Sequence, residues 1–361
     1  MKTLRLAVNP AHPDDQQSRE AIQRAAGILR AGGLVALPTE TVYGLGANAL
    51  DQAAVARIFA AKQRPAWDPV IVHIAGPVAR NPMLAALVAN LPETGEMLAA
   101  AFWPGPLTLL LPRSATVPDA VTAGRPLVGV RMPAHPIALE LIRSAGVPIA
   151  APSANLFSRT SPTTAEHVLE DLDGRIDAIL DAGPTWHGVE STVLDPAQSP
   201  MRIYRPGAVT AEQIRAVAGE VELYLPPDRQ TTAPQESLPS PGVGIRHYAP
   251  KARLILIDAP LSALSERITA SYLQFESARV GILLPAELAG SAPEGAIVFP
   301  WGEWRSSHEL AQRLYAGLRS LDAQNCSVIL CPLPPADGIG AAIRDRLCKA
   351  SMNAAPDPAG G

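Results

Sequence analysis

A polar, proline-rich stretch between residues 225 and 250 divides the chain into two regions that must fold separately. The segment PPDRQTTAPQESLPSPGVG has few apolar residues and many Pro, Ser, Thr and Gln residues, so it cannot build a hydrophobic core. The whole chain has 361 residues, more than one domain usually contains. We therefore predict a first domain over residues 1–222, a linker or lid over 223–251, a second domain over 252–350 and a flexible tail over 351–361.

Both regions alternate between strand and helix patterns. Short apolar runs closed by proline predict strands, and apolar residues at helical spacing predict helices between them. Strands cluster late in the first region, which favours a twisted mixed sheet with helices; the second region alternates regularly, like a smaller Rossmann-like α/β domain. The predicted fold class is therefore α/β throughout. The helices predicted in the first region cover residues 18–29, 51–62, 84–101, 136–145 and 163–172.

Composition and charge exclude several classes of protein. The formal net charge is -4, whereas a protein that grips a nucleic-acid backbone is usually basic, so we expect no stable nucleic-acid binding. The chain has no run of about 18 apolar residues and no signal peptide, so we expect no membrane association and a cytoplasmic location. Cys326, Cys331 and Cys348 have a spacing that fits neither a disulfide framework nor a zinc site.

Polar residues next to prolines follow several predicted strands of the first region. They occur in the segments PTET, RMP, PSAN and RPG. Ligands of open α/β sheets bind in the crevice beyond the carboxyl ends of the strands. Basic and hydroxyl groups gathered there predict a site for an anion with several oxygens.

A pair of basic residues points to the same kind of ligand. Lys62 and Arg64 are two residues apart, and Pro65 favours an extended backbone at Arg64, so both side chains can face the same way. Their mutual repulsion makes the pair most useful opposite a polyanion such as a nucleotide triphosphate. A solvated helix end explains the same residues, because cations favour the C-terminal dipole.

Other polar residues of the region also allow a structural interpretation. An arginine that ends a buried strand, as Arg131 and Arg205 do, often pairs with a structural carboxylate. His73 lies in an apolar run, where histidine is more often a hydrogen-bonded core residue than a catalyst. Ser153 and Asn155 are residue types that commonly cap turns. Known phosphate-loop, nucleophile-elbow and HExxH motifs are missing, so these residues alone predict an anion site without naming its reaction.

An ordered set of segments resembles a known family. Taken together, they are similar to the YrdC-like threonylcarbamoyl-AMP synthase family, in the long form that carries an additional C-terminal domain. The matching segments read, in order, PTETVYGLG, KQRPAWDPVIVH, WPGPLTL, RMPAHP, PSAN, SPTTAEHV, ESTVLD and RPG, with PGVGIRHYAP and GIGAAIRDRL later in the chain.

The resemblance implies a YrdC-like fold for the first domain and a nucleotidyltransferase reaction. The substrates would be ATP, L-threonine and bicarbonate, with Mg²⁺ arriving mainly on the ATP phosphates and no protein metal site. The amine of threonine would take up carbon dioxide, and the resulting carbamate would attack the α-phosphorus and release pyrophosphate. A threonylcarbamoyl transferase complex would then use the adenylate to modify tRNA at the position next to the anticodon.

The resemblance also implies which residues bind each substrate. Asp68 stands where the family usually has Asn, and a carboxylate there would repel phosphates unless a cation lies beside it. Tyr248, at the end of the linker, is expected to close over ATP. No residue is assigned as a general base. The ATP side would use Lys62, Arg64, Asp68, Leu127, Ser153, Asn155, Ser161, Arg205 and Tyr248, and the threonine side Thr41, His73, Arg131, Ala151 and Ser191.

Two other functions fit parts of the pattern. The first is a double-stranded-RNA-binding module, which the negative net charge and the scarcity of aromatic residues disfavour. The second is a carbamoyl-transfer domain of the hydrogenase-maturation type, which shares the fold but lies within much larger chains.

Overall fold

The described residues form two compact units. The computed structural model describes residues 2–225, 247–275 and 277–352, so most of the predicted linker and tail lie outside the described residues. The first unit contains residues 2–157 and 161–225, and the second contains residues 158–160 and 247–352. The grouping of residues 158–160 with the second unit is a feature that the sequence did not predict.

The first unit is built on one large mixed sheet, as predicted. Neighbouring strands are parallel in some pairs and antiparallel in others, which confirms the mixed sheet. Three short strands, β1, β3 and β11, were not expected from the sequence. The 11 strands lie in the order β1 (Leu4–Ala7), β8 (Ala178–Asp181), β2 (Val35–Leu37), β3 (Gly44–Asn48), β7 (Ile149–Ala150), β4 (Ile71–His73), β6 (Leu127–Arg131), β5 (Leu107–Pro112), β9 (Thr192–Asp195), β10 (Met201–Arg205) and β11 (Val221–Leu223).

Helices connect these strands, and one predicted helix is wrong. The single helix expected over 84–101 is two helices, because Pro92 disfavours helical geometry at the residue before it and begins the second of them. The short helix α5 and the helix α8 were not predicted. The helices are α1 (Gln16–Arg30), α2 (Gln52–Lys62), α3 (Pro82–Leu87), α4 (Glu93–Phe102), α5 (Asp119–Thr122), α6 (Pro136–Ala145), α7 (Ala165–Leu172) and α8 (Ala211–Ala218).

The boundaries of α2 decide where a buried lysine lies. The carboxylate of Asp51 accepts hydrogen bonds from the backbone N–H groups of Ala53 and Ala54, which begins the helix as the sequence predicts. The helix ends at Lys62, and Gln63 adopts a left-handed conformation with φ 53°. This turn directs the chain away from the helix axis directly after the lysine.

The central strands present two unlike faces. One face carries the main hydrophobic core, to which Val72, Leu109 and Val130 contribute. On the opposite face, a second core cluster that includes Val35 and Ile149 packs with α1 and α6, and a smaller apolar cluster that includes Ile71, Leu110 and Val193 lies on β4, β5 and β9. Because side chains alternate along a strand, the remaining positions of the second face are available to polar residues.

The second unit is a smaller parallel α/β domain, which confirms the Rossmann-like prediction. Its four strands are all parallel, and helices connect them. No helix among the described residues of either unit is long and apolar enough to cross a membrane. The strand order is β12 (Arg253–Ile257), β15 (Val328–Pro332), β13 (Val280–Pro285) and β14 (Ile297–Gly302), and the helices are α9 (Leu261–Tyr272), α10 (Ser307–Ala323) and α11 (Gly340–Ser351).

A glycine after β10 lies very close to the backbone of a neighbouring segment. A Cβ added at Gly207 would lie 2.3 Å from the backbone nitrogen of Thr192 and 2.5 Å from the carbonyl oxygen of Glu190. We predict that Gly207→Ala lowers the free energy of unfolding by about 1–3 kcal/mol or more, because neither backbone atom can move freely. Urea unfolding followed by tryptophan fluorescence measures this change.

Gly27→Ala provides the matched control. Gly27 lies inside α1, and a Cβ added there would have its nearest contact at 4.0 Å. Because alanine favours a helix more than glycine does, this variant should be more stable than the wild type by about 0.5–1 kcal/mol. Equal stability of the two variants would show that the close approach at Gly207 is not a constraint.

Candidate active site

A row of polar side chains crosses the second face of the central strands. His73 at the end of β4 pairs with Arg131 at the end of β6 in parallel register. The antiparallel pair Leu109–Val130 makes Thr108 of β5 the next residue opposite Arg131. Directly paired residues point to the same face, so His73, Arg131 and Thr108 lie side by side.

The row continues across the next two strands. Thr108 pairs with Val193 of β9, and Val193 pairs with Arg205 at the end of β10. Ser191 precedes Val193 by two residues and bonds to both Thr108 and Arg205. We define the polar row as His73, Arg131, Thr108, Ser191 and Arg205. Four of these five residues were predicted from the sequence, and the structure brings them together.

The polar row is buried. Its most exposed member, Arg205, has 5% relative exposure, and Thr108 has 0%. Buried polar and charged groups cost free energy unless they find partners. The partners of each member therefore show which groups are satisfied by the protein and which are left for a ligand.

The guanidinium of Arg131 is held by three protein groups. Its Nε donates to the carbonyl of Gly105 at 3.2 Å, its Nη1 donates to the hydroxyl of Thr41 at 3.0 Å, and its Nη2 lies 2.6 Å from Oε1 of Glu40. Thr41 in turn lies 2.9 Å from the hydroxyl of Thr39. Arg131 and Thr41, both predicted for threonine, are therefore joined directly and oriented by a buried carboxylate.

Glu40 remains charged in this environment. Burial alone would raise the pKa of its carboxyl, but attraction and hydrogen bonding to Arg131 lower the pKa below its ordinary value of 4.5. A lowered native pKa contributes stability that is fully present above about pH 4.5 and is lost as the pH falls through the native pKa. The ion pair is thus intact at neutral pH.

His73 is neutral at neutral pH. Burial, together with the positive charge of Arg131, lowers the pKa of its imidazole to about 3. Its Nδ1 is buried and has no hydrogen-bond partner among the described residues. A neutral ring in this position can take part in hydrogen bonding to a ligand without adding charge to the site.

The Arg205 end of the row has a different electrostatic character. Nε and Nη2 of Arg205 donate to the carbonyl of Ser191 at 3.1 and 3.0 Å, and Nη2 also donates to the Ser191 hydroxyl at 3.1 Å. No carboxylate pairs with Arg205 among the described residues, whereas Arg131 has Glu40. A buried cation that lacks a protein anion is suited to an anionic ligand.

Lys62 contacts backbone carbonyls of the PSAN segment. Its ammonium donates to the carbonyl of Ser153 at 2.5 Å and to that of Asn155, and the residue is 1% exposed. Burial and the nearby charge of Arg64 lower the pKa of Lys62 well below its ordinary value. These contacts fix the loop that carries Ser153 and Asn155, both of which were predicted for ATP.

Arg64 and Asp68 form a buried ion pair. Nη2 of Arg64 lies 2.9 Å from Oδ2 of Asp68 and donates to the carbonyl of Pro69 at 2.7 Å. The guanidinium also lies 6.0 Å from the ring centre of Phe157. The unusual carboxylate at position 68 is therefore accompanied by a cation, so its charge is compensated within the protein.

Backbone hydrogen bonds connect the two sides of the site. The N–H of Tyr43 donates to the carbonyl of Pro162, and the carbonyl of Tyr43 accepts from Ala154. The hydroxyl of Ser161 donates to Oε1 of Glu190 at 2.6 Å, one residue before Ser191. The segments that carry Thr41, Ser153, Ser161 and Ser191 are thus held against one another.

Three further residues that were predicted to bind substrate lie outside the polar row. Leu127 begins β6 and lines a small cavity with Pro69 and Gly129. Ala151 follows β7, and its N–H donates to the carbonyl of Ile71. Tyr248 belongs to the second unit, where it is buried and has the guanidinium of Arg346 5.1 Å from its ring centre; its nucleotide role stays a prediction.

Several residues that were not predicted from the sequence orient the predicted ones. Glu40 holds Arg131, Thr108 contacts Ser191, and Glu190 accepts from Ser161. Glu40 and Glu190 lie inside the PTET and ESTV segments, next to residues predicted to bind threonine. This position in the sequence is the feature from which their roles could have been predicted. Thr108 could be found only from the register of β5 with its neighbours.

Comparisons with known proteins identify the family. Residues 27–207 match the family model described as "Telomere recombination", and residues 209–352 match the one described as "Threonylcarbamoyl-AMP synthase, C-terminal domain". A threonylcarbamoyl-AMP synthase of Pyrococcus abyssi is 44% identical over 91% of this chain and 94% of its own length. The chain belongs to the threonylcarbamoyl-AMP synthase family. A Bacillus subtilis synthase of the same name is 45% identical over 91% of this chain and 92% of its own length.

A solved member of the family has the same fold. The crystal structure of Pyrococcus abyssi Sua5 complexed with L-threonine matches with a TM-score of 0.86 and 42% identity, covering 97% of this chain and 98% of that one. The resemblance stated from the sequence is confirmed, and the chain is an ATP-using enzyme of the nucleotidyltransferase type.

Glu40→Gln tests the ion pair with Arg131. We predict that this variant loses about 3–5 kcal/mol of unfolding free energy at pH 7, because a buried guanidinium is left without its anion. Urea unfolding measures the loss. The difference from the wild type should shrink as the pH falls through the lowered pKa of Glu40, where the wild-type carboxyl also becomes neutral.

Glu222→Gln is the control for this variant. Glu222 pairs with Arg202 at 2.7 Å, but its side chain is 46% exposed, so its removal should cost about 0–1 kcal/mol. A Glu40 variant no less stable than the Glu222 variant would contradict the role assigned to the buried pair.

Proposed function

We propose that the first unit makes threonylcarbamoyl-AMP from ATP, L-threonine and bicarbonate. The amine of threonine reacts with bicarbonate to give a carbamate and water; a carbamate oxygen then bonds to the α-phosphorus of ATP as pyrophosphate leaves. The observation that carries the proposal is the polar row: Arg205 is buried and pairs with no carboxylate of the described residues, whereas the charge of Arg131 is balanced by Glu40. The row thus has an end without net charge, at Arg131, for the amino acid and a positively charged end, at Arg205, for the nucleotide.

The Arg131 end is suited to the amino acid. Arg131 offers guanidinium N–H groups that Thr41 and Glu40 orient, and neutral His73 offers a ring nitrogen that has no partner among the described residues. Charge-assisted hydrogen bonds of this kind bind a carboxylate in a defined orientation. Glu40 compensates the guanidinium charge, so threonine is recognised by geometry more than by net attraction. The threonine complex of the Pyrococcus abyssi protein supports threonine as a substrate.

The Arg205 end is suited to the phosphates. Attack at phosphorus needs positioning and charge stabilisation more than covalent assistance from the enzyme. Arg205 brings an uncompensated positive charge, and Arg64 brings a guanidinium shared with Asp68. Lys62 is directed at the carbonyls of Ser153 and Asn155, which supports a role in shaping the nucleotide loop.

Magnesium is proposed to enter as part of the ATP substrate. The described residues contain no group of three or more His, Cys, Asp or Glu side chains that could hold a metal ion. The nearby carboxylates of Glu40 and Asp68 are paired with arginines. Mg²⁺ prefers oxygen ligands and keeps several waters, so the ATP phosphates are sufficient to carry it.

Transfer of the product to a threonylcarbamoyl transferase complex that modifies tRNA, and a cytoplasmic location, stay predictions. The RNA-binding alternative has less support, because the cations of the candidate site are buried instead of forming an exposed basic stripe. The carbamoyl-transfer alternative has less support, because synthases match both units of this chain over nearly its whole length.

The direct test combines pure protein with MgATP, L-threonine and bicarbonate. We expect pyrophosphate release that requires all three substrates and an adenylate with the mass of threonylcarbamoyl-AMP. Arg205→Ala should reduce turnover by about 10²–10³-fold, as the loss of one preorganised charge-stabilising donor does in other enzymes.

Arg202→Ala is the matched control on the same strand. Arg202 is partly exposed and pairs with Glu222, outside the polar row, so its variant should turn over at the wild-type rate. Pyrophosphate release that is independent of threonine, or full activity of the Arg205 variant, would refute the proposal.

A further inference from the structure

The loop of residues 182–188 lies against the backbone of the PTET segment. Its N–H groups donate to two carbonyls of that segment, at distances of 2.8 to 3.2 Å. The donors are the N–H groups of Trp186 and His187, which share the carbonyl of Glu40, and that of Gly188, which bonds to the carbonyl of Thr41. The side chains of Glu40 and Thr41 both contact Arg131, so the 182–188 loop supports the backbone of two residues that orient this guanidinium.

Tyr43 holds the beginning of the 182–188 loop. Its hydroxyl donates to the carbonyl of Gly183 at 2.8 Å and accepts from the N–H of Ala182 at 3.2 Å. Tyr43 has 0% relative exposure, and burial raises the pKa of its phenol, so the hydroxyl keeps its proton at neutral pH. One hydroxyl therefore satisfies both a donor and an acceptor of the loop backbone.

The backbone of Tyr43 is itself held in place. Its N–H donates to the carbonyl of Pro162, and its carbonyl accepts from the N–H of Ala154. Tyr43 also lies directly before β3 and only two residues after Thr41. The Tyr43 ring thus connects the 182–188 loop to a part of the site that is already ordered.

An aromatic contact joins the same loop to the segment after β6. The indole of Trp186 stacks on the imidazole of His135, with ring centres 5.1 Å apart and planes inclined by 22°. His135 accepts from the N–H of Ile137 at the start of α6, four residues after Arg131. The loop therefore contacts the chain segments of both members of the Arg131–Glu40 ion pair.

We propose that Tyr43 is a positioning residue that preorganises the amino-acid end of the polar row through the 182–188 loop. This inference rests on the proposed function. Without the Tyr43 hydroxyl, the loop supports the backbone of Glu40 and Thr41 less firmly, so threonine binding must also order the groups around Arg131. Such an ordering cost weakens binding without the loss of any direct contact to the ligand.

The nucleotide end should be less affected. Glu190 follows the 182–188 loop, but the hydroxyl of Ser161 donates to its carboxylate at 2.6 Å. Arg205 is held by its own hydrogen bonds to Ser191. Removal of the Tyr43 hydroxyl should therefore separate the affinity for threonine from the affinity for ATP.

The test compares Tyr43→Phe, which keeps the ring and removes the hydroxyl, with Thr3→Val. The Thr3 hydroxyl is the matched control, because it also donates to a carbonyl, that of Ile176, and accepts from an N–H, that of Gly174, outside the polar row. Tyr43→Phe should weaken the calorimetric affinity for L-threonine by roughly 3- to 10-fold, as the loss of one hydrogen bond does. Its affinity for a non-hydrolysable ATP analogue should stay at the wild-type value, and Thr3→Val should leave both affinities unchanged.

Equal threonine affinities of the two variants would overturn the inference. An equal loss of threonine and ATP-analogue affinity in Tyr43→Phe would also overturn it, since that result indicates a general structural role. Both affinities are measured without turnover. A wild-type protein that binds threonine but makes no adenylate would therefore refute the proposed function and leave this inference intact.

Amide hydrogen exchange shows whether Tyr43 acts through the 182–188 loop. The N–H groups of Trp186, His187 and Gly188 should exchange roughly 3- to 10-fold faster in Tyr43→Phe, because local opening of the loop becomes easier. Bound L-threonine should slow this exchange in the wild-type protein. Wild-type exchange rates in the Tyr43→Phe loop would overturn the inference even if the threonine affinity falls.

Discussion

The candidate site depends on a buried guanidinium, that of Arg205, with which no carboxylate of the described chain forms an ion pair. Arg205 is 5% exposed and bonds only to the carbonyl and hydroxyl of Ser191 among the described residues. Such a charge lowers stability until an anion arrives. The neighbouring arginines differ in this respect, because Arg131 is paired with Glu40 and Arg64 with Asp68. The uncompensated positive charge of the site therefore lies at one end of the polar row.

The sheet makes this concentration possible. Parallel and antiparallel strands alternate so that the ends of β4, β6 and β10 meet the beginnings of β5 and β9. Each of these five strands contributes one residue of the polar row, from within the strand or directly before it, at a spacing fixed by backbone hydrogen bonds. A site built in this way is preorganised, since its donors are held before the substrate binds. Gly207 adds to this rigidity because its backbone packs directly on residues 190–192.

Much of this arrangement could be predicted from the sequence, and the remainder has a physical explanation. Polar residues that directly follow strands can be recognised in the sequence, so Arg131 and Arg205 could be predicted to belong to one site. Hydrogen-bond direction and ion pairing depend on register and on distant segments, so the roles of Glu40 and Thr108 could not be deduced. Lys62 illustrates the difference: the sequence predicted that it binds the anionic nucleotide, but its contacts in the structure are the carbonyls of Ser153 and Asn155.

A crystal structure of this protein with L-threonine and a non-hydrolysable ATP analogue tests the role of Arg205 most directly. We predict that the ligands meet over the polar row, with a phosphate oxygen within hydrogen-bond distance of the Arg205 guanidinium and a carboxylate oxygen close to Arg131. Ligands bound elsewhere, with Arg205 still contacting only Ser191, would contradict it.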